Sequence, residues 1–188
     1  MLVYVFLLGY LAQCFAQRAN PGLCPEPDAM PNFDENKLIG EWYEWARISN
    51  YYEPDNACGV ITYYRGKDGY LVEHVSSIIR RSGTWIFWEG KMIPKDEQPI
   101  ARYNLTFPEY SRDKVIKSTF VDANWGFWAI MHSCKQEKGQ AVEFVWIWTK
   151  SPKLQQKHQD EIANALGKLN LTMQDLSIID HDKCPNQK

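Results

Sequence analysis

From Gly40 onward the apolar positions recur at every second residue, the spacing of strands whose two sides meet different surroundings. In residues 40–50 this alternation sets Trp42, Glu44, Ala46 and Ile48 on one face and Tyr43, Trp45 and Arg47 on the other. Bulky apolar groups on both faces predict a strand that is central in a sandwich or that wraps a barrel partly covered outside. Gly40 lets the backbone pass close to a neighbour just before Trp42, an indole large enough to plug one end of a core. The same two-residue period predicts strands over 58–65, 70–79, 84–93, 101–107, 114–122, 127–134 and 141–149. Turn signals separate them, among them Asp68-Gly69, the stretch 80–83 ending in Gly83, and 108–113, 123–126 and 136–139.

Eight strands with short connections form an antiparallel up-and-down meander, and closing it into a barrel removes the exposed sheet edges. After Lys150 the period changes. Leu154, His158, Ile162, Ala165, Leu166 and Leu169 fall at helical spacings, which predicts an amphipathic α-helix packed outside the barrel. An extended piece over 176–179 follows. Ahead of the barrel, Pro21, Pro25, Pro27 and Pro31 keep residues 17–31 extended, and Asp34 is placed to cap a short turn over 35–37. The polar aromatic loop 51–56 is long enough to lie over one end of the barrel. The expected fold is therefore all-β, an eight-stranded antiparallel β-barrel with one C-terminal helix.

Composition narrows the partners. A chain of 188 residues predicts one domain, and a formal charge of −2 gives no electrostatic footprint for nucleic acid or an anionic membrane. Residues 1–16 are an apolar run that ends in small residues, which predicts a secretory signal peptide cleaved after Ala16 and a single domain over 17–188. No second apolar stretch of membrane length follows. Cleavage removes Cys14 and leaves Cys24, Cys58, Cys134 and Cys184, an even number that predicts two disulfides in an oxidising compartment, with three pairings open. A zinc site is the weaker reading, because only His132 and Cys134 share a strand face. In a secreted chain Asn104-Leu-Thr106 and Asn170-Leu-Thr172 are glycosylation sequons.

No nucleophile elbow, phosphate-cradling glycine loop or His-Glu-x-x-His is present, and the four His residues are scattered. Glu44 and Glu89 lie within strands and are candidates for orienting a polar ligand group. Phe144, Trp146, Trp148 and Lys150 share a face of the last strand, and a Lys150 ammonium over the Trp42 indole would clamp first strand to last at about 1 kcal/mol.

Asn32-Phe-Asp34, Gly40 and Trp42 within 37–43, Cys58-Gly59, Phe144-Val-Trp146, the helix and the late cysteine, taken in this order, resemble the lipocalins. The likeness is to the arthropod bilin-binding and apolipoprotein D-like group, with Lys150 where the family usually has Arg and Val121-Asp122-Ala123 in place of a Thr-Asp-Tyr motif. The resemblance implies the pairings Cys24–Cys134 and Cys58–Cys184. It also implies a carrier holding a small hydrophobic molecule: a bilin, carotenoid, retinoid, sterol or fatty acid. By parity with Trp42 the expected pocket residues are Glu44, Ala46, Ile48, Trp85, Phe87, Phe144, Trp146 and Trp148, with Tyr51 and Tyr52 at the mouth. An aromatic wall suits a flat chromophore such as a bilin or carotenoid. The alternative is an extracellular interaction or scavenging protein acting through its loops, its barrel filled by its own Trp side chains. An enzyme on this scaffold would need a free thiol, which paired cysteines do not leave. A cavity separates carrier from filled barrel.

Overall fold

β-branched and aromatic residues on alternating positions build ten strands, and each is held by a partner whose register the hydrophobic faces fix. The computed structural model describes residues 18–95, 101–107, 115–182 and 184–185. The strands are β1 (Ala19–Pro21), β2 (Gly40–Arg47), β3 (Asn56–Arg65), β4 (Leu71–Ile79), β5 (Thr84–Pro94), β6 (Arg102–Thr106), β7 (Val115–Asn124), β8 (Trp128–Glu137), β9 (Gln140–Thr149) and β10 (Ser177–Ile178). β2 to β9 form an antiparallel meander that closes by pairing β9 with β2. β1 adds to β9 and β10 to β2, so the two strands of the seam have neighbours on both sides. The expected eight-stranded barrel is present. The signal-peptide expectation, Cys14 and the turn at 108–113 lie outside the described residues.

The helix α1 (Gln156–Leu166) lays His158, Ile162, Ala165 and Leu166 on the outer wall, where Trp45, Ala46, Val121, Ile130, Val145 and Ile147 receive it. It is shorter than the periodic stretch 154–169, whose end tightens into a 3-10 turn, Gly167–Leu169, capped by Asn170 in the left-handed region at φ 52. Glu161 anchors the helix further: its Oε2 accepts from Trp128 Nε1 at 2.9 Å and Asn124 Nδ2 at 3.2 Å. The Asp34 cap is formed, with Asn36 N donating to Asp34 Oδ1 at 3.0 Å.

The parity assumed for β2 fails at its middle. Glu44 pairs with Trp148 and Ala46 with Ile147, which leaves Trp45 as an extra residue in a β-bulge. The bulge inverts the alternation, so Trp42, Glu44 and Arg47 face the interior while Trp45, Ala46 and Ile48 pack in the cluster beneath the helix. Ala46 and Ile48 therefore do not line the barrel.

The floor is closed by Trp42, which has no solvent exposure. Its Nε1 donates to Leu38 O at 2.7 Å, and the Lys150 Nζ lies 3.5 Å from the ring centroid while donating to Glu41 O at 3.1 Å. Phe33, Tyr63, Tyr103, Phe120 and Trp148 fill this end with edge and stacked contacts at 5.1–6.4 Å. Both implied cross-links are present. Cys24–Cys134 ties the N-terminal segment to β8, and Cys58–Cys184 spans 126 residues to pin the tail on β3.

Trp42→Ala is expected to cost about 3–5 kcal/mol of unfolding free energy and Lys150→Met about 1 kcal/mol. Because the two side chains meet, the double variant should fall short of the sum by about 1 kcal/mol in urea titrations. Strict additivity would show that the ammonium does not act through the indole.

Candidate functional site

Above the Trp42 floor the barrel is not filled. A cavity of about 70 Å³ opens toward the mouth. Five aromatic side chains face it: Tyr52, Trp88, Phe107, Trp146 and Trp148. Ile61, Val75, Leu105, Ile116 and Met131 complete the apolar wall, and Glu44, Glu53 and Glu73 supply its acid.

β9 behaves as its alternation predicts. Phe144, Trp146 and Trp148 point inward and stack in file, with centroids 5.7 and 6.1 Å apart. Trp146 and Trp148 reach the cavity. Phe144 sits higher, fully buried, and props Tyr52 at 5.4 Å and Tyr51 at 5.8 Å. Tyr52 lines the cavity, whereas Tyr51 is 46 % exposed on the rim beside Lys135, whose Nζ donates to its hydroxyl at 3.1 Å. On β5 the expected faces are exchanged. Trp88 faces in, Phe87 is half exposed, and Trp85 lines an outer groove with Tyr43, His181 and the Cys58–Cys184 cross-link. The strand alternates aromatics on both faces, so its pattern carries no phase, and a one-residue choice moves every side chain across the sheet.

The acid cluster follows from local backbone. Inverted by the bulge, Arg47 donates from Nη1 to Glu44 Oε1 at 2.8 Å and from Nη2 to the carbonyl oxygens of Glu53 at 2.6 Å and Asn56 at 3.4 Å. This draws the mouth loop inward and buries Glu53, whose Oε2 accepts from Trp146 Nε1 at 3.0 Å. The Glu44 carboxyl lies against Gly59, where a Cβ would collide with it, beside a second bulge at Cys58 (φ 55). Glu73, on β4 opposite Tyr63, accepts from the Tyr63 hydroxyl through Oε1 at 3.1 Å. Three buried atoms of this wall have no hydrogen-bond partner: Glu44 Oε2, Glu73 Oε2 and Trp148 Nε1.

Burial lifts the Glu73 carboxyl to about 8, helped by the Glu53 and Glu44 charges against the pull of the Tyr63 hydrogen bond. Burial and the Glu53 charge lift Glu44 to about 7 although Arg47 pulls it down. Sequence reasoning singled out Glu44 and missed Glu53 and Glu73. Glu73 had a signal, because Leu71, Glu73 and Val75 share one face of β4 and the flanking pair is buried. Glu89, the other strand carboxylate considered, is exposed and accepts from the Tyr64 hydroxyl at 2.6 Å. His132 and Glu143 pair at 3.1 Å beside β1, away from the cavity. Among the described residues no group of three His, Cys, Asp or Glu converges as metal ligands, and no helix is long and apolar enough to cross a membrane.

A closed eight-stranded meander with one end plugged, the other open to a cavity and a helix on its flank defines a calyx, and this chain has the lipocalin fold. It is similar over nearly its whole length to apolipoprotein D of Macaca fascicularis, 24 % identical over 190 residues that cover 98 % of each chain. Among solved structures it resembles insecticyanin of the tobacco hornworm Manduca sexta, with a TM-score of 0.76 at 20 % identity over 89 % of this chain and 91 % of that one. It also resembles the amine binding protein of Rhodnius prolixus in its tryptamine complex, with a TM-score of 0.68 at 15 % identity over 82 % and 85 %. No protein-family profile matches the sequence.

The raised carboxyls make stability depend on pH with a definite sign. A carboxyl that holds its proton to about 8 when folded and to about 4.5 when unfolded stabilises the fold fully below 4.5, and that contribution is lost as pH rises through 8. Glu44 acts likewise up to about 7, whereas Glu143 and Glu161, both lowered, act only at the acid end. The unfolding temperature is expected to fall between pH 5 and 9, and Glu73→Gln should flatten that fall. Calorimetry that finds the two proteins parallel across this range would contradict the burial of an ionisable Glu73.

Proposed function

We propose that the protein is a carrier that encloses the head of one compact ligand in the cavity between Glu44, Glu73 and the Trp88–Trp146–Trp148 wall. The observation that carries this reading is the unfilled space itself. An interaction protein with a barrel packed solid by its own side chains would have neither a cavity nor three unpartnered polar atoms on the side chains that surround it. The volume also ranks the ligands. About 70 Å³ is well below the roughly 300–1,000 Å³ of an ordinary small-molecule pocket. As it stands the cavity takes a head group, and the rest of the ligand runs past Tyr52 toward the mouth. A bilin or carotenoid, the chromophores expected from the aromatic content, needs the loop of Tyr51, Tyr52 and Glu53 moved aside. The tryptamine complex of the Rhodnius protein supports a compact occupant on this scaffold.

We read the chain as secreted, with residues 1–16 removed. The two cross-links, which hold all four cysteines of the described residues, support an oxidising destination. Asn170, exposed after the helix, is the better glycan acceptor, and Asn104 faces outward from β6 but is half covered. N-terminal sequencing of the exported protein should begin at Gln17; a start at Met1 would contradict export by cleavage.

Titration of the Trp fluorescence with indole, retinol, cholesterol and palmitate tests the carrier reading. A ligand of about ten heavy atoms at roughly 0.6–0.8 kcal/mol per atom predicts saturable quenching with a Kd of about 1–40 µM for a compact member such as indole. The absorption spectrum of protein from its native source should show no visible band. A visible band would assign a chromophore, and a panel without any saturable quenching would remove the carrier reading.

A further inference from the structure

The cavity is unbalanced in its hydrogen-bonding groups as well as in charge. Glu44 and Glu73 line it at 1 % and 2 % exposure, and each holds one carboxyl oxygen, Oε2, with no donor to meet it. Against these two acceptors stands one unpartnered donor, Trp148 Nε1. Their neighbours cannot supply the missing hydrogens. Tyr63 gives its hydroxyl to Glu73 Oε1, and Trp146 gives its indole N–H to Glu53. Arg47, the one guanidinium of the cluster, divides itself between Glu44 Oε1 and the carbonyls of Glu53 and Asn56. Three carboxyls, Glu44, Glu53 and Glu73, therefore share one resident cation. A buried acceptor left without a donor opposes folding, more so when it is charged, so an occupant that supplies donors recovers that loss.

We propose that the head group this cavity takes is a primary ammonium, seated on Glu73 Oε2 and Glu44 Oε2 and enclosed by the indole faces of Trp88, Trp146 and Trp148. The inference rests on the carrier reading and names its ligand class, a small organic amine. An ammonium carries three donors and no acceptor, the complement of what the wall lacks. The rings that line the rest of the space attract a cation through their faces. A carboxylate or phosphate head would bring further acceptors and a negative charge to a wall that already holds three carboxyls and one guanidinium. A metal ion is disfavoured because no three ligating side chains converge among the described residues. Burial favours the protonated form of Glu73 and Glu44 in the empty cavity, and an ammonium seated there favours the carboxylate, the displaced proton leaving to solvent.

Three probes of one shape separate the possibilities: 2-phenylethylammonium, its neutral counterpart 2-phenylethanol, and the anion 3-phenylpropanoate. They are titrated into the full chain at pH 7 with Trp fluorescence as readout. The ammonium is expected to bind about tenfold or more tighter than the alcohol, the size of one hydrogen bond to a charged group, and the anion not to bind. Glu73→Gln should bring ammonium and alcohol to within about threefold of each other, with the unfolding transition of the variant confirming that it is folded. Should that variant not fold, Glu44→Gln carries the same comparison. An alcohol that equals or beats the ammonium overturns the proposal and leaves a carrier of neutral ligands. A preference for the anion overturns it as well. If none of the three binds, the ammonium reading falls while the broader ligand panel still decides whether there is a carrier at all.

Discussion

The seam between β2 and β9 is where barrel and site are decided together. A meander of antiparallel strands has two free edges, and closing them requires the first strand to pair along two different partners at once. β2 does so by giving Gly40–Tyr43 to β3 and Tyr43–Arg47 to β9. The right-handed twist that closure demands is supplied by the bulge at Trp45. Below the bulge the strand sends Trp42 into the floor, clamped by Leu38 and Lys150. Above it the same strand sends a salt bridge, Glu44–Arg47, into the interior and its apolar groups out to the helix. One extra residue thus gives the barrel an apolar outer seat for its helix and a charged inner wall.

The two halves of the barrel are built on opposite terms. The floor packs aromatic on aromatic around Phe33 and Phe120, and the buried indole N–H of Trp42 has a partner. The upper half gathers three carboxyls around a single guanidinium and leaves two carboxyl oxygens without donors and the Trp148 indole N–H without an acceptor. Such groups oppose folding. The two long-range cross-links and the solid floor hold the cylinder closed in spite of them. A rigid base beneath a wall of unsatisfied polar groups is the arrangement expected of a site whose complement arrives with the ligand.

Much of this was legible in the residues. Period-two alternation located all eight barrel strands to within a few residues, the change to helical spacing found α1, and the family likeness supplied the cysteine pairing that spacing left open. The faces were less legible. β9 was assigned correctly because Phe144, Trp146 and Trp148 outweigh their neighbours, but β5 carries aromatics on both sides and gave Trp85 and Phe87 in place of Trp88. In β2 nothing in Glu44-Trp-Ala-Arg47 announces a bulge, since bulges answer to closure, a property of the whole cylinder. Glu53 was beyond sequence reasoning for a different reason. It belongs to a loop, and the contacts that fold it inside, from Arg47, Asn50 and Trp146, follow from no periodic pattern.

The hollow acid-lined interior can be read without any ligand, by following the Glu73 side-chain carboxyl through a pH titration with carbon-13 NMR. In the free protein it should titrate near 8, with Tyr63 and the indole signals of the cavity moving in step. A Glu73 carboxyl that titrates near 4.5 would mean that water or a cation already meets it, and the unpaired wall on which the proposed binding site rests would not exist.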